Sequence, residues 1–129
     1  MTFEHVTTIS LLQGGVTLSQ SVTSSGSNEI NIDESIADSE TDKEVTLIVD
    51  QSAMISIYIE SDQDILIETN SGGAPTDSLT LVADEPISWT TNSVHSNPIT
   101  ADITANIFVT NSSGSTANLK IRILQDSTP

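Results

Sequence analysis

Paired carboxylates are the first residues in this sequence whose type and spacing indicate chemistry. Asp62 and Asp64 flank a polar turn, and Asp50 or Glu60 would add further oxygen ligands. A Ca²⁺ site needs about six to eight oxygens, and the best-known calcium loop supplies them in a D-x-[DN]-x-[DN]-G frame that this stretch lacks. Aspartates in turns commonly accept hydrogen bonds from the turn backbone instead. Asp62 and Asp64 are therefore weak metal candidates, and a structural role is the favoured interpretation.

The two histidines, His5 and His95, do not lie in any catalytic or metal-binding motif. A catalytic or metal-bound histidine needs a carboxylate, a hydroxyl or a second ligand within hydrogen-bonding reach. The chain has no cysteine, which excludes thiolate zinc sites, iron–sulfur clusters and cysteine nucleophiles. A nucleophile elbow, a P-loop and a dinucleotide-binding fingerprint are also missing from the sequence. We therefore predict a protein that is not an enzyme and has neither catalytic residues nor cofactors.

Trp89 is the single tryptophan, and aromatic residues make up only 3% of the chain. Carbohydrate-binding modules and glycosidase clefts place aromatic side chains against the sugar, so this scarcity weakens both functions. A core tryptophan is the favoured interpretation of Trp89. Tryptophan is also enriched at the energetic centres of protein interfaces, so Trp89 remains a candidate interface residue.

Lys120 and Arg122 share one face of the last predicted strand and are two of the three bases in the chain. The favoured interpretation is local pairing with acids on a neighbouring strand, such as the strand of Asn106, or with Glu68. The alternative is that both bases dock onto an acidic patch of a partner or of a sister subunit. Both residues are therefore candidate interface residues.

The charge balance is strongly acidic, with 18 acids against 3 bases and a net charge of -15. Nucleic-acid binding depends on lysine and arginine neutralising phosphates, so nucleic acid and anionic membranes are excluded as partners. No apolar run approaches the ~18 residues of a membrane helix, and the N-terminus lacks the pattern of a signal peptide. The glycosylation pattern Asn111-Ser112-Ser113 is discounted for that reason. An oligomer of this chain needs a contact surface that is less acidic than the average, or one that pairs its acids with Lys120 and Arg122.

These residues must be positioned by strands, because the apolar residues alternate with polar ones throughout the chain. The alternating apolar sets are Val45, Leu47 and Val49; Ile55, Ile57 and Ile59; Ile65 and Ile67; Leu79, Leu81 and Ala83; Ile103, Ala105, Ile107 and Val109; Leu119, Ile121 and Ile123. Such strands, joined by polar turns, predict an all-β fold: an antiparallel β-sandwich or a jelly-roll-like barrel with almost no helix. Two turns, 61–64 and 111–116, are predicted to close short hairpins.

The first forty residues differ from the rest of the chain. Residues 1–42 are predicted to form N-terminal strands with an acidic loop, and residues 43–129 the β-sandwich core of a single domain. The run of six acids between Asp33 and Glu44 is typical of a solvated loop or an edge. The N-terminal segment fits either an arm that packs on a partner or an ordinary first hairpin.

The chain from about Lys43 to Pro129 resembles small virion proteins of tailed bacteriophages. The resemblance lies in the segments Ser61–Asn70, Ala74–Leu81, Pro86–Trp89, Ile107–Gly114 and Leu119–Asp126. It implies a small β-rich structural protein with no catalytic residues, of the type that decorates a capsid as an oligomer.

The resulting functional hypothesis is a non-enzymatic cement protein that stabilises the phage head. Its expected partners are the major capsid protein or another virion protein and further copies of itself, as a dimer or trimer. The expected location is the virion, after synthesis in the host cytoplasm. The alternatives are a tail-associated virion protein and a cellular carbohydrate- or Ca²⁺-binding β module.

Overall fold

The computed structural model describes residues 2–126 and confirms the all-β prediction, with 61% of the residues in strands. Within the described part of the chain, one short 3₁₀ turn (Gln51–Ala53) interrupts the strands. The strands are β1 (Phe3–Gln13), β2 (Val16–Gly26), β3 (Asn28–Ile36), β4 (Glu40–Val45), β5 (Met54–Ser61), β6 (Ile65–Thr69), β7 (Ser78–Leu81), β8 (Ile87–Thr90), β9 (Ile107–Asn111) and β10 (Ala117–Gln125).

The last eight strands form two four-stranded antiparallel sheets, in the orders β3-β10-β5-β8 and β4-β9-β6-β7. We call them the first and the second sheet. Four of the pairings are nested along the chain: β3 pairs with β10, β4 with β9, β5 with β8, and β6 with β7. This is the pairing of one long antiparallel ribbon. Two more pairings, β10 with β5 and β9 with β6, roll the ribbon up into two sheets.

A ribbon rolled into two four-stranded sheets is the double-sheet jelly-roll arrangement. Successive strands therefore alternate between the two sheets, except for β6 and β7, which are neighbours in the second sheet. The two inner faces share one core. The two sheets form an open sandwich and not a closed barrel. Of the two predicted architectures, the structure therefore has the sandwich. The hairpin of β1 and β2 forms a third, separate sheet.

The core confirms most of the alternating pattern read from the sequence, but Ile55 and Ala83 are only half-buried and Ala105 is exposed. Ile57 and Ile59 of the first sheet and Ile67 and Val109 of the second are each at most 2% exposed and belong to one apolar cluster. Fully burying a side chain of this size contributes about 1.5–3 kcal/mol. Strand β4 ends at Val45, but the apolar side chains of the following segment still reach the core. A single bridge between Val49 and Ile103 extends the contact beyond the strand.

The two predicted hairpin turns are wrong. Residues 61–64 lead from β5 in the first sheet to β6 in the second, and residues 111–116 lead from β9 in the second sheet to β10 in the first. Both segments reverse the chain, as their polar composition indicates. They connect strands that face each other across the core, however, and not strands that are hydrogen-bonded neighbours.

The boundary between the N-terminal part and the sandwich lies between β2 and β3, not at residues 42 and 43. Strands β3 and β4 belong to the sandwich, where each is the edge strand of a sheet. The acidic run 33–44 is therefore an edge, the second of the two predicted alternatives. Charged side chains on edge strands oppose unwanted pairing with other sheets.

Candidate interaction surface

The β1–β2 hairpin, which we call the arm, is a straight run of eleven residue pairs from Phe3–Gly26 to Gln13–Val16. At about 3.3 Å per residue, it is roughly 36 Å long. Gly14 and Gly15 form its two-residue turn with φ values of 54° and 84°. Both values are positive, as a type I′ turn requires, and this turn matches the natural twist of a hairpin.

The base of the arm is anchored on the outer face of the first sheet. The His5 Nε2 atom lies 2.9 Å from Glu29 Oε2 on β3. The hydrogen bond with His5, followed by one from Asn31, holds the pKa of Glu29 below its ordinary value. Leu124 points outward from β10, yet it is fully buried because the base of the arm covers it. The arm is thus fixed at one end and exposed over the rest of its length.

The two faces of the arm differ in chemistry, because residues directly opposite in an antiparallel pair share a face. One face carries Ile9, Leu11, Val16 and Leu18, which we call the apolar stripe. These four side chains are 58–69% exposed.

The opposite face of the arm is rich in hydroxyl groups. Thr8 Oγ1 and Ser21 Oγ lie 2.8 Å apart, and Ser10 Oγ donates to Ser19 Oγ at 3.2 Å. Cross-strand pairs of this kind support the ladder in water. The hydroxyl face is therefore more polar than the face with the apolar stripe, although it also carries the exposed Val6 and Leu12.

Exposed apolar residues concentrate on the arm. Of the nine large hydrophobic side chains exposed in the described part of the chain, six belong to the arm. The arm also carries only one charged residue, Glu4, so that the sandwich keeps 14 of the 15 net negative charges. The arm is consequently a weakly charged, apolar surface, which is the kind of surface that contact between copies of an acidic chain would need.

The arm was only partly predicted from the sequence, which indicated strands within residues 1–42 and an arm as one of two alternatives. Its clearest signal is the pair Gly14-Gly15 between two runs of alternating residues, which is a standard two-residue hairpin pattern. The apolar stripe is not visible until the register of the hairpin is known.

Lys120 and Arg122 both contact Asp33 on the neighbouring strand β3. Arg122 Nη2 lies 3.0 Å from Asp33 Oδ1, and Lys120 Nζ lies 3.9 Å from the same oxygen. Arg122 also donates to the Ile32 carbonyl at 3.0 Å. These contacts match local pairing with a neighbouring strand, although the strand is β3 and not that of Asn106. A role at an interface would have to break or share these pairs.

Trp89 lies on β8, the edge strand of the first sheet, opposite Ile57 on β5. Its side chain is half-buried and packs against the core cluster. This packing favours the core interpretation of Trp89. Trp89 shares the core-facing side of the first sheet with its partner Ile57, whereas the arm is anchored on the outer face of that sheet.

Asp62 and Asp64 use their carboxylates to hold the structure together. Asp62 accepts hydrogen bonds from the backbone and the side-chain amide of Asn118, at 2.8 and 2.9 Å. Asp64 accepts one from the Ala83 backbone at 2.8 Å. Among residues 2–126, no group of three or more histidine, aspartate or glutamate side chains is arranged to hold a metal ion. The geometry therefore favours the structural role for both aspartates.

Replacing Asp62 by alanine is expected to lower the melting temperature more at pH 7 than at about pH 3. The hydrogen bonds from the backbone and then the side chain of Asn118 lower the pKa of Asp62. A lowered pKa in the folded state stabilises the fold above the ordinary pKa, and this contribution is lost as the pH falls through the lowered value. Thermal unfolding from pH 2 to 7 measures the difference, with Glu85→Ala as the control that removes an exposed acid. A loss for Asp62→Ala that does not change with pH would contradict this role.

The remaining histidine, His95, lies in the β8–β9 loop with Nε2 2.9 Å from the Ser88 carbonyl. An open groove of about 560 Å³ runs between the base of the arm and the first sheet, and it includes His5, Tyr58 and Arg122. Burial, then Glu60, raises the pKa of Tyr58. Within the groove, His5 and Asn31 both contact Glu29, whereas Arg122 is engaged by Asp33 and by the Ile32 carbonyl.

In comparisons with known proteins, no family model, curated protein or solved structure matches this chain. The part of the chain that the structure describes has no helix long and apolar enough to cross a membrane. A jelly roll serves capsid proteins, lectins and enzymes alike. The function is therefore argued from the arm, the charge distribution and the sequence resemblance.

Proposed function

We propose that this protein is a non-enzymatic structural component of a bacteriophage virion, a cement protein that decorates and stabilises the capsid. The observation that carries the proposal is the arm: an apolar, nearly uncharged ribbon that projects from an acidic jelly roll. Such a surface suits burial against another protein, because specific interfaces bury apolar area and exclude charge from their centres. The sequence resemblance to small phage virion proteins supplies the class of assembly.

The proposed mechanism is passive. Each copy adds contacts with neighbouring capsid subunits and with further copies of itself, and these contacts resist the outward pressure of packaged DNA. Standard protein interfaces bury about 1,200–2,000 Å², so a shell of repeated contacts gains stability without any chemical reaction. The acidic sandwich keeps the particle surface negative and soluble.

The decisive experiment compares phage particles that contain the protein with particles made without it. Decorated particles are expected to retain their DNA and infectivity at higher temperature and after stronger osmotic shock. Adding purified protein to undecorated particles is expected to restore resistance, whereas an equal amount of an unrelated acidic protein is not. Equal survival of both kinds of particle would overturn the assignment.

Immunogold labelling of the same particles separates the head from the tail. Label on the tail alone would replace the cement role by the tail-associated alternative, in which an acidic surface lines the path of the DNA. A glycan array and a calorimetric Ca²⁺ titration test the remaining alternative. Specific glycan or Ca²⁺ binding, without any labelling of particles, would favour a cellular β module.

A further inference from the structure

We propose that the apolar stripe of the arm is a self-association surface, and that the stripe of a second copy of this chain covers it. The arrangement is antiparallel, with the two arms side by side and the two sandwiches at opposite ends. This inference concerns the isolated protein and does not depend on a role in a virion.

The side chains of the apolar stripe are largely exposed to solvent. Ile9 and Val16 are 69% and 61% exposed, and Leu11 and Leu18 are 58% and 60% exposed. Together these side chains present on the order of 400 Å² of apolar surface, a contiguous patch of the size that in soluble monomers often has a binding role. The other large exposed apolar residues of the described chain are Val6 and Leu12 on the hydroxyl face of the arm, and Ile48, Val82 and Val94 in separate segments.

Most of the arm has no contact with the sandwich. Every residue from Thr8 to Ser21 is exposed, and the contacts with the sandwich come from the base of the arm. A two-stranded hairpin is marginally stable by itself in water, and packing of one face is what normally secures it. A second arm supplies that packing.

The charge distribution indicates which kind of molecule covers the stripe. Two copies with a charge of -15 repel each other wherever their sandwiches approach. The arm carries Glu4 as its one charged residue, and Glu4 lies at the base, away from the stripe. A strongly basic partner would be attracted to the acidic sandwich, whereas the uncharged stripe matches another uncharged, apolar surface. The stripe of a second copy has that chemistry.

The antiparallel arrangement follows from the position of the stripe. Leu11 and Leu18 are directly opposite each other and lie near its centre. When two arms lie side by side in opposite directions and overlap in their outer parts, the leucine pairs of the two copies come into contact. The bases of the arms then separate the two sandwiches. The sandwiches then lie several Debye lengths apart, since that length is about 8 Å at physiological salt. A parallel arrangement would bring both acidic sandwiches together.

The strength of the association follows from the area involved. Two stripes bury about 800 Å² in total, which is below the ~1,200–2,000 Å² of a standard interface. We therefore expect a reversible dimer with a dissociation constant of about 1–100 µM.

The experiment is sedimentation equilibrium of the full chain over a range of concentrations. The double variant Leu11→Ser, Leu18→Ser is expected to weaken the dimer by at least about tenfold, which corresponds to 1.4 kcal/mol. The matched control is Val6→Ser, Leu12→Ser. It removes two apolar side chains of the same arm that are 63% and 70% exposed but lie on the hydroxyl face. Circular dichroism during thermal unfolding verifies that the sandwich of each variant folds.

Three results would overturn the proposal. The first is a wild-type chain that remains monomeric at about 0.5 mM, which would mean that a second copy does not cover the stripe. The second is an equal weakening by both double variants, which would show that the stripe is not the contact face. The third is loss of the dimer in about 0.5 M NaCl, which would indicate charge pairing. A dimer that passes these tests stands even if the particle experiment fails, and the reverse is equally true.

Discussion

Replacing Asn111 by alanine is expected to lower the free energy of unfolding by about 2–4 kcal/mol. The Asn111 side chain is fully buried at the end of β9. Its Nδ2 atom donates to the carbonyls of Ile36, Ala37 and Ser115 at 2.9, 3.3 and 2.8 Å. Its Oδ1 atom accepts from the backbone and the hydroxyl of Ser113. Alanine would remove all of these hydrogen bonds and open a small void between two turns. The Ala37 and Ser115 carbonyls would keep only their other donors, the Glu40 amide and Ser113 Oγ.

Chemical denaturation at neutral pH measures this loss. The control is Asn92→Ala, which removes the same side chain from an exposed position in the β8–β9 loop. A change below about 0.5 kcal/mol is expected there, as for other surface substitutions. If Asn111→Ala were no more destabilising than Asn92→Ala, the hydrogen bonds of Asn111 would not secure the β3–β4 and β9–β10 connections. The burial of Asn111 also places its glycosylation pattern out of reach in the folded chain.

Replacing Gly26 by alanine is expected to destabilise the protein by about 1–3 kcal/mol and to loosen the base of the arm. A Cβ atom at this position would lie 2.6 Å from the Gln125 carbonyl oxygen and 2.9 Å from Leu124 Cγ. The nearest atom belongs to the backbone of the last strand, so it cannot rotate away as a flexible side chain would. The arm must shift outward, and Leu124 then loses the cover that buries it.

Two measurements detect this change: chemical denaturation for stability, and hydrogen exchange of the amides near Gly26 for loosening of the arm. The matched control is Gly73→Ala, because the nearest atom to a Cβ at that position is 4.0 Å away. That variant is expected to change little, since the residue sits in an exposed loop. Unchanged stability and unchanged exchange for Gly26→Ala would show that the arm is not anchored through this contact.

The sequence was sufficient to predict most of the strands of the sandwich, because their side chains must alternate between core and solvent. Residues such as Ile121 and Ile123 on β10 alternate in the sequence and are buried in the structure. The pattern fails at Ala105, which is exposed and lies before the start of β9 at Ile107. Strand pairing was a different matter. The turn at 61–64 reverses the chain in the same way whether the next strand lies beside β5 or across the core from it. The nested pairing therefore could not be read from local residues.

The candidate surface was harder to predict than the fold. The leucines at positions 11 and 12 are adjacent in the sequence and similar in exposure, but only the register of the hairpin places Leu11 in the apolar stripe and Leu12 on the hydroxyl face. For Lys120 and Arg122, the sequence indicated a shared face, while their common partner Asp33 depends on the pairing of β10 with β3. Long-range register was the missing information in both cases.

The nested pairing also has a consequence for how the chain acquires its structure during synthesis. Strand β10 lies between β3 and β5 in the first sheet, and it pairs Ala117 with Ile36 and Gln125 with Asn28. Most of the chain therefore separates these partners, and contacts so distant in sequence slow folding. Strand β10 must leave the ribosome before β3 and β5 can pair with it in the first sheet. The two strands of the arm, in contrast, are close in sequence and are synthesised one directly after the other. The arm can therefore form while the rest of the chain is still being translated, and its apolar stripe is exposed before the sandwich has formed.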